Sequence, residues 1–187
     1  KLLTNDTCPR DIVDVHAIHN AFTVDMALGG STNSVLHIMA IAHEAGIEFP
    51  LSTVNEISQR TPYLCRLSPA SDHHIEDLDS AGGIAAVMKE LSGLLNLESR
   101  TVSGGTVAGV VADSQVVNRD IIHSIENAYS DIGGLAILFG NLAPDGAIVK
   151  RAVVAPEMLV HRGQAMVFDS EEAATTAITG GSIKPGA

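Results

Sequence analysis

The pentapeptide Gly29-Gly30-Ser31-Thr32-Asn33 separates two apolar stretches, Ala21–Leu28 and Val35–Ala42. A glycine pair between apolar runs predicts a tight turn, because glycine enters positive φ freely and lets backbone approach another group closely. Ser31, Thr32 and Asn33 carry the short oxygen-bearing side chains that cap helices. The pattern therefore predicts a glycine turn opening a buried helix. The first amides of that helix lack intrahelical partners, so the turn suits a carboxylate or a phosphate. Gly30, Ser31, Thr32 and Asn33 are the candidate substrate-binding residues. The competing reading is a plain helix cap.

Charge narrows the partners. The 187 residues include 11 Lys+Arg against 22 Asp+Glu, a net charge of −11, and no basic cluster stands out. Nucleic-acid binding needs a positive stripe and is disfavoured. Aromatic residues make up only 3% and Trp is absent, which also leaves little surface for stacking bases. An anionic substrate would have to be received by local donors or a metal, since the global field repels it. No apolar run reaches the roughly 18 residues of a membrane span. The N-terminal Lys1–Asp6 segment has no signal-peptide core behind it. Two cysteines, Cys8 and Cys65, make no disulfide framework, so a reduced, cytoplasmic setting is expected.

Along the chain, residues 1–20 read as an arm with a helical turn or two, Pro9 standing at a helix start. Ser34–Ala45 reads as a helix, apolar almost all round, with Gly46 just past its end. Thr53-Val54-Asn55-Glu56 fits a capping box, and the helix it starts must end before Pro62. Asp79 or Ser80 could cap a helix running through Ile84–Leu91. Near residue 100 the character changes. Thr101–Val107 is β-branched and glycine-punctuated, and Leu135–Phe139 is an apolar run of strand length. Asn141–Gly146 reads as a loop with an Asp-Gly turn signal and Ala147–Val149 as a return strand. Ala165–Phe168 reads as another strand. Ser170 caps a final helix that Gly180-Gly181 ends. The expected fold class is α+β, a helical segment over 1–100 followed by a β-rich segment over 101–187.

Other chemistry-bearing residues are weaker candidates. His73-His74-x-Glu76-Asp77 is the one dense cluster of metal-capable side chains, but a polar turn before a helix explains it as well. His37 and His43 are six residues apart, about 600° around a helix, and so do not face one ligand. His16 and His19 share a face without a third ligand. Cys65 reads as a small core residue. Two cysteines this far apart cannot hold an iron–sulfur cluster alone, which commonly needs about four thiolates. Gly133-Gly134, after Asp131-Ile132, reads as a structural turn. No metal ligand or catalytic residue is assigned within the chain.

The run Asn20–His37, containing Val24-Asp25-Met26-Ala27-Leu28-Gly29-Gly30-Ser31-Thr32-Asn33, resembles the dihydroxy-acid and sugar-acid dehydratase family. The resemblance continues through Thr61-Pro62-Tyr63-Leu64-Cys65, His74-Ile75-Glu76-Asp77 and Ala81-Gly82-Gly83. It resumes at Gly133–Asn141 and Pro144–Lys150, and so covers nearly the whole chain. The Thr-Pro…Leu-Cys and His-Ile-Glu-Asp stretches look more like the dihydroxy-acid branch than the phosphogluconate branch. Two positions depart from the family pattern: Asp79, where His is frequent, and Ala152-Val153, where an Ala-Gly pair is usual.

The resemblance implies a hydro-lyase that takes water from a 2,3-dihydroxy acid to give a 2-keto acid, within branched-chain (isoleucine and valine) amino acid biosynthesis. It implies an iron–sulfur cluster and Mg²⁺ in the full-length parent, with none expected on this segment. The family's cluster-binding cysteines, metal ligands and serine base would lie before Lys1 or after Ala187. The chain then reads as an internal fragment, inactive alone. It would hold the helical end of the family's α/β N-terminal domain and the start of its swivelling, β-barrel-like C-terminal domain. A small-molecule dihydroxy acid is the expected partner, with a homodimer or larger assembly. A sugar-acid dehydratase, or a small anion- or metal-binding module, is the alternative.

Overall fold

The computed structural model describes residues 2–184 and 186. The chain divides into two compact units, Lys1–Val153 and Val154–Ala187. In the first unit, helices α1 (Val15–Leu28), α2 (Thr32–Glu44), α3 (Leu51–Arg60), α4 (Ile75–Ser80), α5 (Gly83–Glu90) and α6 (Val107–Ala112) precede a two-stranded antiparallel sheet. Its strands are β1 (Ala136–Gly140) and β2 (Ala143–Val149). The second unit holds α7 (Glu171–Thr179). Helices followed by a small sheet make this an α+β chain.

α1 occupies the centre of the first unit. Asp14 caps its start, Oδ1 accepting from the Ala17 amide at 2.7 Å, and Gly29 ends it at φ +59°. Residues 15–20 thus belong to a helix rather than to the expected arm, because Ile18 and Phe22, one turn apart, bury on the same face. One core cluster gathers Phe22, Met26, Val35, Ile57 and Leu135, with Phe22 stacked on Phe49 at 5.4 Å between centroids. A second gathers Ala27, Leu64, Leu78, Val87, Leu91 and Ile122. α1 contributes to both, so it ties α2, α3 and the hairpin to α4, α5 and α6.

Two side chains stitch α3 to the sheet. Asn55 forms a two-bond bracket with β1: its Nδ2 donates to the Ile137 carbonyl at 2.8 Å, and Oδ1 accepts from the Ile137 amide at 2.7 Å. The Ser58 hydroxyl donates to the Leu135 carbonyl at 2.8 Å, and the Gly133 amide donates to the Ser58 carbonyl at 2.9 Å. The backbone groups that Ile137 and Leu135 turn toward α3 are thereby satisfied.

Several local expectations are corrected. α3 begins at Leu51 with Pro50 at its N-cap, two residues before the Thr53 box, because Pro50 presets the helical entry. Asp79 and Ser80 lie in the last turn of α4, and Gly82 opens α5 at φ +123°. Val107–Ala112 is helical despite its valines, since Val107 and Val111 bury one turn apart; packing overrides β-propensity. The hairpin turns at Asn141-Leu142, with Gly140 opposite Ala143, so Asp145-Gly146 lies inside β2, where Gly146 takes φ +110°. Ala165–Phe168 is not a strand; among the described residues it has no strand partner, and Val167 is exposed. In α2, Val35 and Ala42 are buried, whereas Leu36 and Ile41 are 65% and 51% exposed. α7 starts as expected, the Ser170 hydroxyl accepting from the Ala173 amide.

Candidate functional site

The Gly29–Asn33 turn lies where α1, α2, the Tyr63 segment and the backbone before β1 meet. The turn closes through the Gly30 amide, which donates to the Asp25 carbonyl at 3.0 Å. The Ser31 hydroxyl caps α2, accepting from the Asn33 amide at 3.2 Å. The Thr32 hydroxyl and the Asn33 carboxamide have no hydrogen-bond partner among the described residues, and Asn33 is exposed. They are the groups that can turn to a ligand.

Both glycines are required by close approach. A Cβ on Gly29 would strike the Tyr63 ring, its Cζ at 2.8 Å, and the positive φ would strain any other residue. Gly134 crosses so near that its own Cβ would lie 2.5 Å from the Gly29 Cα. The Gly134 amide donates to the Met26 carbonyl at 3.1 Å, and the Ala152 amide to the Gly134 carbonyl at 3.0 Å. Gly133-Gly134 is therefore a backbone brace laid across the glycine turn.

Behind Gly30 sits a carboxyl group that sequence reasoning passed over. A Cβ on Gly30 would overlap Asp25 Oδ1. Asp25 Oδ2 is fully buried with no hydrogen-bond partner. Burial pushes the carboxyl up to about 6, against the smaller opposing pulls of the Ser34 hydroxyl and the Lys150 charge. Asp25 thus faces the first turn of α2 from the last turn of α1, with Lys150 arriving from the end of β2.

The other candidates are elsewhere. His74 is the N-cap of α4, its amide donating to Asp77 Oδ2 at 2.7 Å, so Asp77 is engaged in a cap. Among the described residues, no three His, Cys, Asp or Glu side chains are grouped to hold a metal ion. His19 packs edge-on to Phe49 at 5.1 Å and accepts from Arg60 at 3.4 Å; burial, then the Arg60 and His16 charges, lower its pKa. His37 and His43 are exposed on α2. Cys65 is buried, which pushes its thiol up to about 12, and Cys8 is exposed. Arg66 lies over the Tyr129 ring at 4.4 Å, and His123 stacks on the same tyrosine at 4.1 Å. No described helix is long and apolar enough to cross a membrane.

Comparison with known proteins sets this corner in a family. The family model "Dihydroxy-acid/6-phosphogluconate dehydratase N-terminal" matches residues 1–110, and its C-terminal counterpart matches residues 120–187. The chain belongs to the dihydroxy-acid/6-phosphogluconate dehydratase family. Curated family members similar to it include a dihydroxy-acid dehydratase of Dehalococcoides mccartyi, 56% identical over 186 residues. Those of Aquifex aeolicus and Carboxydothermus hydrogenoformans are 56% and 58% identical over 188 residues. In each pairing all of this chain is covered, against 34% of the relative, so the chain spans about a third of the length of these dehydratases. Within this dehydratase segment the sequence signal for Asp25 was available. It is the one acid inside the apolar stretch Ala21–Leu28, a place where an ionisable group needs a reason. Lys150, more than a hundred residues on, carried no such signal.

Proposed function

We propose that the chain is part of a hydro-lyase that dehydrates 2,3-dihydroxy carboxylic acids to 2-keto acids in isoleucine and valine biosynthesis, in the cytoplasm. The observation that carries this reading is 53–58% identity to dihydroxy-acid dehydratases along the whole chain. Gly30, Ser31, Thr32 and Asn33 are proposed to face the substrate, with the unengaged Thr32 hydroxyl and Asn33 carboxamide as its donors. The iron–sulfur cluster and Mg²⁺ belong to this reading as cofactors of the full-length protein. The donors of this segment do not fit a cluster: Cys65 is a buried, protonated thiol, and Cys8 is an isolated exposed one. Those groups would be held by residues outside these 187, and the segment alone would be inactive. A homodimer or larger assembly of the full-length protein belongs to the same reading.

The test is to purify the full-length protein carrying this sequence under anaerobic conditions. 2-Keto acid formation is then followed from a branched 2,3-dihydroxy acid, from 6-phosphogluconate and from an aldonate. Turnover is expected with the branched acid. Preference for either sugar acid would move the assignment to the other branch of the family, and turnover of none would overturn it.

A further inference from the structure

Between the N-terminal arm and the segment leading into α6 lies a cavity of about 330 Å³. Asn5 and Thr7 line it from the arm, and Arg100, Thr101, Gly105 and Thr106 from the segment. None of its lining residues is acidic, in a chain with 22 Asp+Glu against 11 Lys+Arg. Asp6, between Asn5 and Thr7, is exposed and stands outside the lining. The Arg100 guanidinium has neither an ion pair nor a hydrogen bond among the described residues, whereas Arg119 is paired with Glu90 at 2.9 Å. An unpaired cation in so acidic a chain is open to an anion. A neighbouring cavity of about 180 Å³ shares Arg100 and Ile12 with the first and is lined by Asp11, Asp14 and Glu98. The Cys8 and Ala17 amides donate to Asp11 and Asp14 at 2.7 Å, and none of the three acids pairs with Arg100. Ser99, in the same neighbouring cavity, is 6% exposed, and its buried hydroxyl has no partner among the described residues. Buried polar groups without internal partners call for a water or a ligand.

The loop on the cavity wall is fixed by its own bonds. Arg100 and Thr106 face each other across an isolated antiparallel bridge. The Thr101 amide donates to the Gly105 carbonyl and the Val107 amide to the Ser99 carbonyl, both at 2.9 Å. Gly104 takes φ +88°, its amide donating to the Thr101 carbonyl at 3.0 Å. These bonds leave over the Gly105 and Thr106 amides and the Thr106 hydroxyl, none of which has a partner among the described residues. α6 itself offers nothing, since its first two amides donate to the Ser99 and Leu97 carbonyls. A guanidinium, a hydroxyl and two successive amides on one wall provide more donors than the two oxygens of a carboxylate can use, and match a tetrahedral oxyanion. We propose that this cavity is a phosphoryl-binding site, in which Arg100 supplies the charge and the Gly105 amide, the Thr106 amide and the Thr106 hydroxyl supply the directional donors. Its volume exceeds a phosphate ion and leaves room for the organic part of a phosphate monoester. The cavity includes none of the Gly29–Asn33 residues, and phosphoryl binding there does not depend on dehydratase activity.

The test reads Arg100 directly in the full-length protein. Phenylglyoxal modifies accessible arginines, and peptide mass spectrometry gives the extent at each one. Inorganic phosphate is expected to protect Arg100 saturably at constant ionic strength, while chloride and acetate do not. Arg119, already paired with Glu90, is the internal control and should show no phosphate-dependent change. Thr106→Val removes the hydroxyl and should leave the chain folded, because Thr106 makes no cap bond. It should raise the phosphate midpoint about tenfold, the worth of one hydrogen bond to a charged group. Thr106→Ser, which keeps the hydroxyl, should hold the wild-type midpoint. Glycerol 3-phosphate separates the sources: a lower midpoint than that of phosphate assigns the site to a phosphate monoester, and an equal one assigns it to the free ion. Absence of saturable protection, or equal protection by acetate, overturns the proposal on the wild type alone. A midpoint unchanged in folded Thr106→Val overturns it as well.

Discussion

Replacing Asp25 by asparagine removes a buried charge while keeping its shape, and the cost of that charge can be worked out from the structure. The carboxyl moves from an ordinary 3.8 to about 6 on folding, with burial as the main cause. At about 1.4 kcal/mol per pKa unit, a rise of about 2 units makes the native state worse at holding the ionised form by about 3 kcal/mol. The sign follows from proton binding. Between the two values the native chain keeps a proton that the unfolded chain has released, so this group makes stability fall as pH rises. The penalty is absent below pH 3.8, grows up to about pH 6 and is constant above it. The asparagine variant carries no such penalty. Urea unfolding of both proteins at pH 4.5 and pH 7.5 isolates the term, because every other carboxylate titrates equally in the two. The wild type should lose about 2 kcal/mol relative to Asp25→Asn between those pH values, the rest of the penalty being already present at pH 4.5. A relative change under about 0.5 kcal/mol, or one of opposite sign, would show that Asp25 is solvated or fully paired and would refute the reasoning.

Other consequences are more direct. Thr32→Val should lower kcat/KM of the full-length protein about tenfold, the worth of one hydrogen bond to a charged group. Stability should stay within about 0.5 kcal/mol, because Ser31 rather than Thr32 caps α2. Unchanged steady-state kinetics would make the motif structural. Asn55→Ala removes both bonds to Ile137 and should destabilise the chain by about 2 kcal/mol in urea unfolding. Cys8 should react with a disulfide reagent in the native protein, while Cys65 should react only on unfolding.

Residues with a local physical signature were legible in the sequence. Ser170 with its following glutamates, Pro9 at a helix start and Gly46 beyond α2 stand where their chemistry puts them. The glycine turn itself was legible, because positive φ and a cap are both local. Where tertiary contacts decide, the sequence misled. Thr101–Val107 read as β-branched, glycine-punctuated material, yet Val107 opens α6, where it shares a core with Val111. Asp145-Gly146 carried a turn signal, yet the chain reverses four residues earlier, at Asn141-Leu142. The apolar character of α2 promised burial all round, but in this chain Leu36 and Ile41 have nothing over them.

The candidate site was half legible for the same reason. Gly29 and Gly30 announced close approach without saying to what. The answers are the Tyr63 ring, the Gly134 backbone and the Asp25 carboxyl, brought from three separate parts of the sequence. Each glycine excludes a side chain for its own reason, so the pair is not a single flexible joint. Gly29 makes room for the Tyr63 ring, Gly134 for the Gly29 backbone that it crosses, and Gly30 for the Asp25 carboxyl. That carboxyl lies behind the turn whose sequence suits an external anion. Under the proposed substrate reading, a ligand carboxylate at Thr32 and Asn33 would bind with Asp25 behind it, and it would bind better where burial keeps Asp25 protonated than where Asp25 is ionised, because two like charges at one helix end repel.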